Sequence, residues 1–527
     1  LLPVPANLAH PGDRLCDTCK ALKLTASRFV ILPGDLKKGK HVMKDPTFSL
    51  GLVKDVLKKN YCPLCRLAIV AIGGDRMEVP ALENGEPTSI VLTWDTDIPM
   101  PNPCAPKSPI RVLRPHCETV EGKDIRSVQL SLFQEISLLA NDCPVPATTF
   151  LVRPIPQDKI DFSMVRNWLS LCGTWHGDSC NNTEMLEVDT HPADEISAFR
   201  FVDVIDNCLV HGRSNSKYAA LSYVWGRARF FRTLRENVEK LQKPGAFKLP
   251  EFIDKIPWTI RDAIEAVREI GLRYLWVDSL CIVQDDTTGE KADAISKMDL
   301  VYGAAFVTII AATGDGADAG LPGVRSGTRG YRQPIEEVMP GLRLAVKPVH
   351  SNYMKDSVYI SRGWTFQENL FSPRSLRFVG GQIVFKCRRA DEWREDVVFE
   401  NSTGIVGSLL MPREKGDIGK LEGLIQSYSD LSLTYDSDIY NAFAGISKYI
   451  TSKLKSNLCH GIPEAHFDWF LLWTALKPQK RRESAPSWSW SGWTGQSWSY
   501  IWKWYTGNVK RVGRAQRNRT WIIWYQR

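Results

Sequence analysis

The chain has 527 residues, 43% hydrophobic and 24% charged, which excludes a largely disordered polypeptide and allows more than one hydrophobic core. Its net charge of +8 is too small to demand nucleic acid or a membrane as partner, and no apolar run approaches the roughly 18 to 20 residues of a membrane-spanning helix. The opening stretch lacks a basic segment followed by an apolar one, and thirteen scattered cysteines do not make a secreted disulfide framework, so a cytoplasmic protein with reduced thiols is expected.

Residues 1–160 carry two CxxC pairs, Cys16-Asp17-Thr18-Cys19 and Cys62-Pro63-Leu64-Cys65, then a proline-rich stretch around Pro99 to Pro115 that reads as loop. Each pair is able to clamp one side of a tetrahedral zinc, whereas a redox CxxC would call for a thioredoxin-like context. The interval between the pairs exceeds the roughly 15 to 20 residues of a zinc ribbon. The competing reading is that Cys62 and Cys65 simply pack on the helix leading into Leu67-Ala68-Ile69-Val70. Residues 161–217 form a connector with a strand-like segment, Phe201 to Val204. There Cys172, His176 and Cys180 recur at spacings of four, with Cys208 as a fourth candidate ligand for a second zinc. Gly173 and Gly177 point to irregular backbone, and three ligands fall short of a closed site.

Residues 218–370 have the clearest alternation of elements. Tyr218 to Val224 reads as a strand stopped by Trp225-Gly226. Pro257 to Ile270 reads as a helix, with Ile260, Ile264, Val267 and Ile270 on one face and Gly271 at its end. Arg273 to Asp278 returns as a strand, Lys291 to Tyr302 as a helix, and Phe306 to Ala311 as a third strand. A β-α-β-α-β order favours parallel strands sandwiched by helices, with the working surface beyond the carboxyl ends of the strands. Those ends bring Ser222, Trp225, Asp278, Gln284 and Gly314 toward one expected cleft. At a strand end Asp278 is placed to bind a ribose hydroxyl or steady a developing cation, or simply to cap the following turn. Cys281, with no histidine aligned to it, reads as a buried inert thiol rather than a nucleophile.

Residues 371–505 have mixed signals and a tryptophan-rich end. The alternation around Trp488 and Trp490 reads as a half-buried strand in preference to a base-stacking surface, so nucleic acid is not expected. The basic tail, 506–527, has no acidic residue. No complete Gly-x-Gly-x-x-Gly or phosphate-binding P-loop occurs. Gly314-Asp-Gly-Ala-Asp-Ala319 comes nearest but runs into the loop Gly320-Leu-Pro-Gly323, where a phosphate-binding helix should open.

The Tyr218-Ala-Ala-Leu-Ser-Tyr-Val-Trp-Gly226 segment resembles the opening of the fungal HET (heterokaryon incompatibility) domain. Tyr274-Leu-Trp-Val-Asp-Ser-Leu-Cys-Ile282 with Gln284-Asp-Asp286 resembles its central motif, and Arg362-Gly-Trp-Thr-Phe-Gln-Glu368 its last block. Similar blocks continue in order to Pro486-Ser-Trp-Ser-Trp-Ser-Gly-Trp493. The resemblance implies a regulator of fungal self/non-self recognition whose module induces cell death, acting with a protein partner or through self-association. The family has been likened to TIR domains, some of which cleave NAD using a single glutamate. That likeness makes Glu368 a second candidate catalytic carboxylate, against the plainer reading of a salt bridge to Arg362 or Arg374.

The expected fold is therefore α/β, a TIR- or Rossmann-like core flanked by α+β N- and C-terminal regions. Three functional classes remain open at this point: a death-inducing module acting by assembly, a TIR-like NAD glycohydrolase, and a zinc-containing regulatory binding protein without catalysis.

Overall fold

The computed structural model describes residues 1–5, 8–32, 35, 46–73, 88–97, 110–119, 134–145, 148–181, 190–227, 230–389, 392–400 and 418–499. Its main strands are β1 (Thr47–Leu52), β2 (Thr88–Asp97), β3 (Ile110–Thr119), β4 (Glu135–Leu138), β5 (Arg200–Asp203), β6 (Cys208–His211) and β7 (Tyr218–Ser222). They continue with β8 (Tyr274–Trp276), β9 (Val307–Ala311), β10 (Ile335–Met339), β11 (Leu342–Lys347), β12 (Arg374–Val379), β13 (Gln382–Cys387) and β14 (Trp393–Arg394). The result is a mixed α/β protein built on two large sheets.

The first sheet is antiparallel, in the order β1-β2-β3-β4-β11-β10. The Pro63–Gly73 helix packs on it, burying Leu64, Leu67, Ala68 and Ala71 in one core with Ile90, Leu92, Ile136 and Leu344. Strands β10 and β11 come from within the span 218–370 yet complete this sheet. Ile335, Val338, Leu342, Leu344 and Val346 are the apolar residues that the pairing buries.

The second sheet has the order β14-β13-β12-β9-β7-β8-β5-β6. Its centre is parallel: β12 beside β9, β9 beside β7, and β7 beside β8. Every residue of β7 and of β9 is buried, as expected of parallel strands covered on both faces. The three strands read from the sequence are therefore present, neighbouring and parallel. The sheet also reaches past them on both sides, to β5 and β6 on one edge and to β12, β13 and β14 on the other.

The helix expected at 257–270 spans Trp258–Glu269, and Gly271 ends it at φ +82°. The helix expected at 291–302 is two helices, Glu290–Ser296 and Met298–Ala304, broken at Lys297. The break has a packing reason. The first segment lies mostly at the surface, whereas Met298 to Gly303 are all buried, so one straight amphipathic cylinder could not satisfy both. Among the described residues no helix is long and apolar enough to cross a membrane.

The tryptophan-rich segment is not the strand its alternation suggests. Residues 487–489 turn, Trp490–Gly492 is one turn of 3-10 helix, and only Trp493–Thr494 and Ser497–Ser499 are extended. Trp490 points inward against Phe443 and Tyr428, with ring centroids 5.3 and 6.1 Å away, and its indole N–H donates to the Gly461 carbonyl. The turn is held where Gly492 passes the Pro486 carbonyl, which a Cβ on Gly492 would approach to 2.2 Å. Base stacking by Trp490 is incompatible with that burial; residues 500–527, including the basic tail, lie outside the described residues. Gly492→Ala should therefore destabilise the protein by about 1–3 kcal/mol, read as a lower denaturant midpoint with an altered near-UV tryptophan signal.

Candidate functional site

Ser222 ends β7, Asp278 follows β8, and Glu368 lies in the Gly363–Phe371 helix that precedes β12. Parallel pairing of β7 and β8 puts Ser222 and Asp278 at the same end of the sheet, and a hydrogen bond from Ser222 joins Glu368 to that end. Ser222 Oγ donates to Glu368 Oε2 and shares a 2.7 Å hydrogen bond with the Tyr359 hydroxyl. Since the serine proton goes to the carboxylate, Tyr359 is the donor in the second bond. On the Asp278 side, Trp225 Nε1 donates to Oδ2 at 2.8 Å and the Ser279 amide to Oδ1 at 2.6 Å. Tyr223 donates to Ser279 Oγ at 2.8 Å.

Both carboxyls are perturbed in the same direction. Burial pushes Asp278 up to about 6, against the opposing pull of the Ser279 amide, the Trp225 indole and the Arg362 charge. Burial pushes Glu368 up to about 7; the Asp278 charge adds to the rise, while Ser222 and Arg362 oppose it. Near neutral pH this pair holds one carboxylate mostly ionised beside one close to half-protonated, a division of labour suited to acid–base work.

A cleft of about 1180 Å³ opens next to the pair. Trp225 and Arg362 line it together with Arg227, Lys255, Arg261 and Asp318. Trp225 is the shared wall, since its ring borders the cleft while its N–H holds Asp278. Ser222 and Glu368 do not line the cleft and are buried, at 1% and 6% exposure.

Of the five residues expected around one cleft, Trp225 lines it, while Ser222 and Asp278 do not; Asp278 is held by the Trp225 indole, and Ser222 is bonded instead to Glu368. Gln284 instead turns its side-chain amide to the carbonyls of Asp278 and Ile282, bracing the turn from outside. Gly314 also stays off the cleft. At φ +87°, with the Ala319 methyl 2.3 Å from where a Cβ would stand, it folds back the loop whose residues Asp315 to Ala319 line the opening. Glu368 makes no ion pair with Arg362 or Arg374 among the described residues, so the salt-bridge reading gives way to the Ser222 hydrogen bond. Cys281 is buried, and its burial pushes the thiol up to about 12, as an inert packing residue would have it. Tyr359 has no signal in the sequence beyond its place just before the Arg362–Glu368 block, and Arg362, expected as an ion-pair partner of Glu368, lines the cleft instead.

The cysteines form two clusters. Cys16, Cys19, Cys62 and Cys65 are all buried with their sulfurs within 4.8 Å of one another, so this group could hold a metal ion. Two of the separations, Cys16–Cys65 at 3.8 Å and Cys19–Cys65 at 3.7 Å, match the edge of about 3.8 Å that four Zn–S bonds of 2.3 Å imply for a tetrahedron. The Cys16 amide points at Cys62 Sγ from 3.4 Å, a donor suited to a thiolate. The second cluster joins Cys172, His176 and Cys180 not to Cys208 but to Cys387. Cys208 sits on β6 at the far edge of the sheet from β13, which carries Cys387.

Geometry thus defines a mixed α/β protein whose sheet has a parallel centre, with the partly buried Asp278 just after one central strand and the buried Glu368 on the helix that precedes another. Residues 218–368 match the family described as heterokaryon incompatibility protein (HET), so this segment of the chain is a HET domain. No curated protein and no solved structure matches it.

The carboxyl pair has a signature in stability. In an unfolded chain both groups titrate near 4, so between that pH and their folded values of about 6 and 7 the folded chain binds more protons. Their contribution to stability therefore falls as pH rises through this window and levels off above it. Glu368→Gln removes the larger share, so the variant should melt a few degrees above the wild type at pH 8 and show a flatter pH dependence. An unchanged pH profile in the variant would contradict the assignment.

Proposed function

We propose that this protein arrests growth and triggers death of a fungal cell through its HET domain, acting in the cytoplasm. One observation carries the reading: the family match at residues 218–368 coincides with the segment that supplies Ser222, Asp278 and Glu368, two of them carboxyls raised by burial. The strand order β8-β7-β9-β12 supports a Rossmann- or TIR-like reading of the core, because it reverses between β7 and β9, where α/β sheets place their ligands.

A second reading, NAD hydrolysis, is favoured by the split ionisation of the pair beside the cleft. In that reaction the bond between ribose and nicotinamide breaks, and nicotinamide leaves with the electron pair. The ionised Asp278 offsets the positive charge developing on the ribosyl carbon. Water then adds to that carbon and gives its proton to Glu368. Glu368 is 6% exposed and does not line the cleft, so this reaction requires the protein to open beside it. The cleft exceeds the roughly 300–1,000 Å³ of common ligand pockets, which leaves room for a dinucleotide.

The N-terminal cluster is read as a structural zinc site. Four protein ligands leave no open position for a substrate, so its role is to staple Asp17–Lys20 to the Pro63–Gly73 helix. A protein partner or a second copy of the chain is the expected trigger.

Expression in a fungal cell tests the reading. Wild-type protein should slow growth or kill. Asp278→Asn and Glu368→Gln, each removing charge with little change of volume, should abolish the effect and the release of nicotinamide by purified protein, with folding intact. Toxicity that survives both substitutions assigns the effect to assembly. A folded, well-expressed protein with no effect on growth would overturn the proposal.

A further inference from the structure

The second cysteine cluster lies outside the matched family segment. Cys172 and His176 are four residues apart on the Phe162–His176 helix, which places them on one face. That helix runs straight through Gly173. Gly177 then breaks it at φ +45°, so the chain folds back and Cys180 returns toward Cys172 in the short helix Asp178–Asn181. Cys387, the last residue of β13, arrives from the sheet. All four residues are buried, with ligand atoms within 4.8 Å of one another.

The details fit a metal better than chance packing. His176 Nδ1 lies 3.4 Å from Cys387 Sγ, close to the edge of about 3.6 Å expected between nitrogen and sulfur ligands of one tetrahedral zinc. The ring makes no hydrogen bond to a carbonyl or carboxylate among the described residues, and its Nε2 has no partner there. Among the described residues, contact with the sulfur cluster is thus the only polar role the ring has.

Arg374 adds an independent observation. This side chain is 2% exposed, donates from Nε to Cys172 Sγ at 3.2 Å, and faces Cys387 across the β12–β13 pair. The same guanidinium donates to the Phe306 carbonyl at 3.2 Å and lies over the Phe306 ring, so it is held in place with Nε aimed at the sulfur. Three thiolates and a neutral imidazole on Zn²⁺ carry a net charge of −1, which Arg374 balances, and N–H donors to thiolate ligands are common supports of such sites. Soft sulfur ligands with one imidazole, closed to solvent, suit zinc in a structural role.

We propose that Cys172, His176, Cys180 and Cys387 bind one zinc ion, which clamps the Phe162–His176 helix to β13. The site is separate from the N-terminal four-cysteine cluster and ties residues more than two hundred positions apart.

The test uses the full-length protein, expressed with zinc and freed of loosely bound metal. Metal analysis should find two zinc ions per chain, one for each cluster, and X-ray absorption should find seven sulfurs and one nitrogen shared between them. Cys387→Ser should lose one zinc, Cys62→Ser the other, and Cys208→Ser neither. An all-sulfur zinc shell in the wild type would overturn the proposal without any variant needing to fold. Iron in place of zinc, or full zinc retention by a folded Cys387→Ser, would overturn it as well.

Discussion

Burial of β7 on both faces is the constraint from which the rest follows. A strand enclosed by two neighbours and by helices must be apolar along its length, and the first polar group it can release is at its carboxyl end. That group is Ser222. Its hydroxyl is 1% exposed and must find partners inside the protein, which it does in Glu368 and Tyr359. Asp278 occupies the equivalent place after β8 and is held by the indole of Trp225 from the loop after β7. Two carboxyls are thereby placed where desolvation opposes ionisation, and the charge of Asp278 raises Glu368 further. This costs stability at neutral pH, and groups so placed concentrate at functional sites.

The same constraint explains what was legible. Fully buried parallel strands read as short apolar runs bounded by glycine or polar residues, so β7, β8 and β9 stand out in the sequence. Two CxxC pairs point to one cluster because each pair can supply half of a tetrahedral four-sulfur site. The position of Glu368 was harder. Its helix leads into β12, the fourth parallel strand, and Arg374 to Val379 was not read as part of the sheet. Without β12 nothing connects Glu368 to Asp278.

Other features depend on long-range contacts that local pattern does not encode. The β10–β11 hairpin joins the N-terminal sheet by pairing with β4, some two hundred residues earlier. Cys387 replaces Cys208 as the fourth member of the second cluster for a similar reason: β6 and β13 belong to one sheet but lie toward opposite edges. The tryptophan-rich segment misleads in another way. Alternation of tryptophan and serine is equally compatible with a strand and with a turn that buries one ring, and the close passage of Gly492 by Pro486 selects the turn.

The central claim is that Asp278 and Glu368 form one coupled pair poised to ionise separately near neutral pH. Infrared difference spectroscopy of the carboxyl stretch reads this directly, as the wild-type spectrum minus that of Glu368→Gln across a pH titration. A protonated carboxyl signal that persists well above pH 5 and disappears with a midpoint close to 7 is the predicted result. A difference signal with its midpoint near 4, the ordinary carboxyl value, would mean that Glu368 is a conventional solvated acid and would contradict the account.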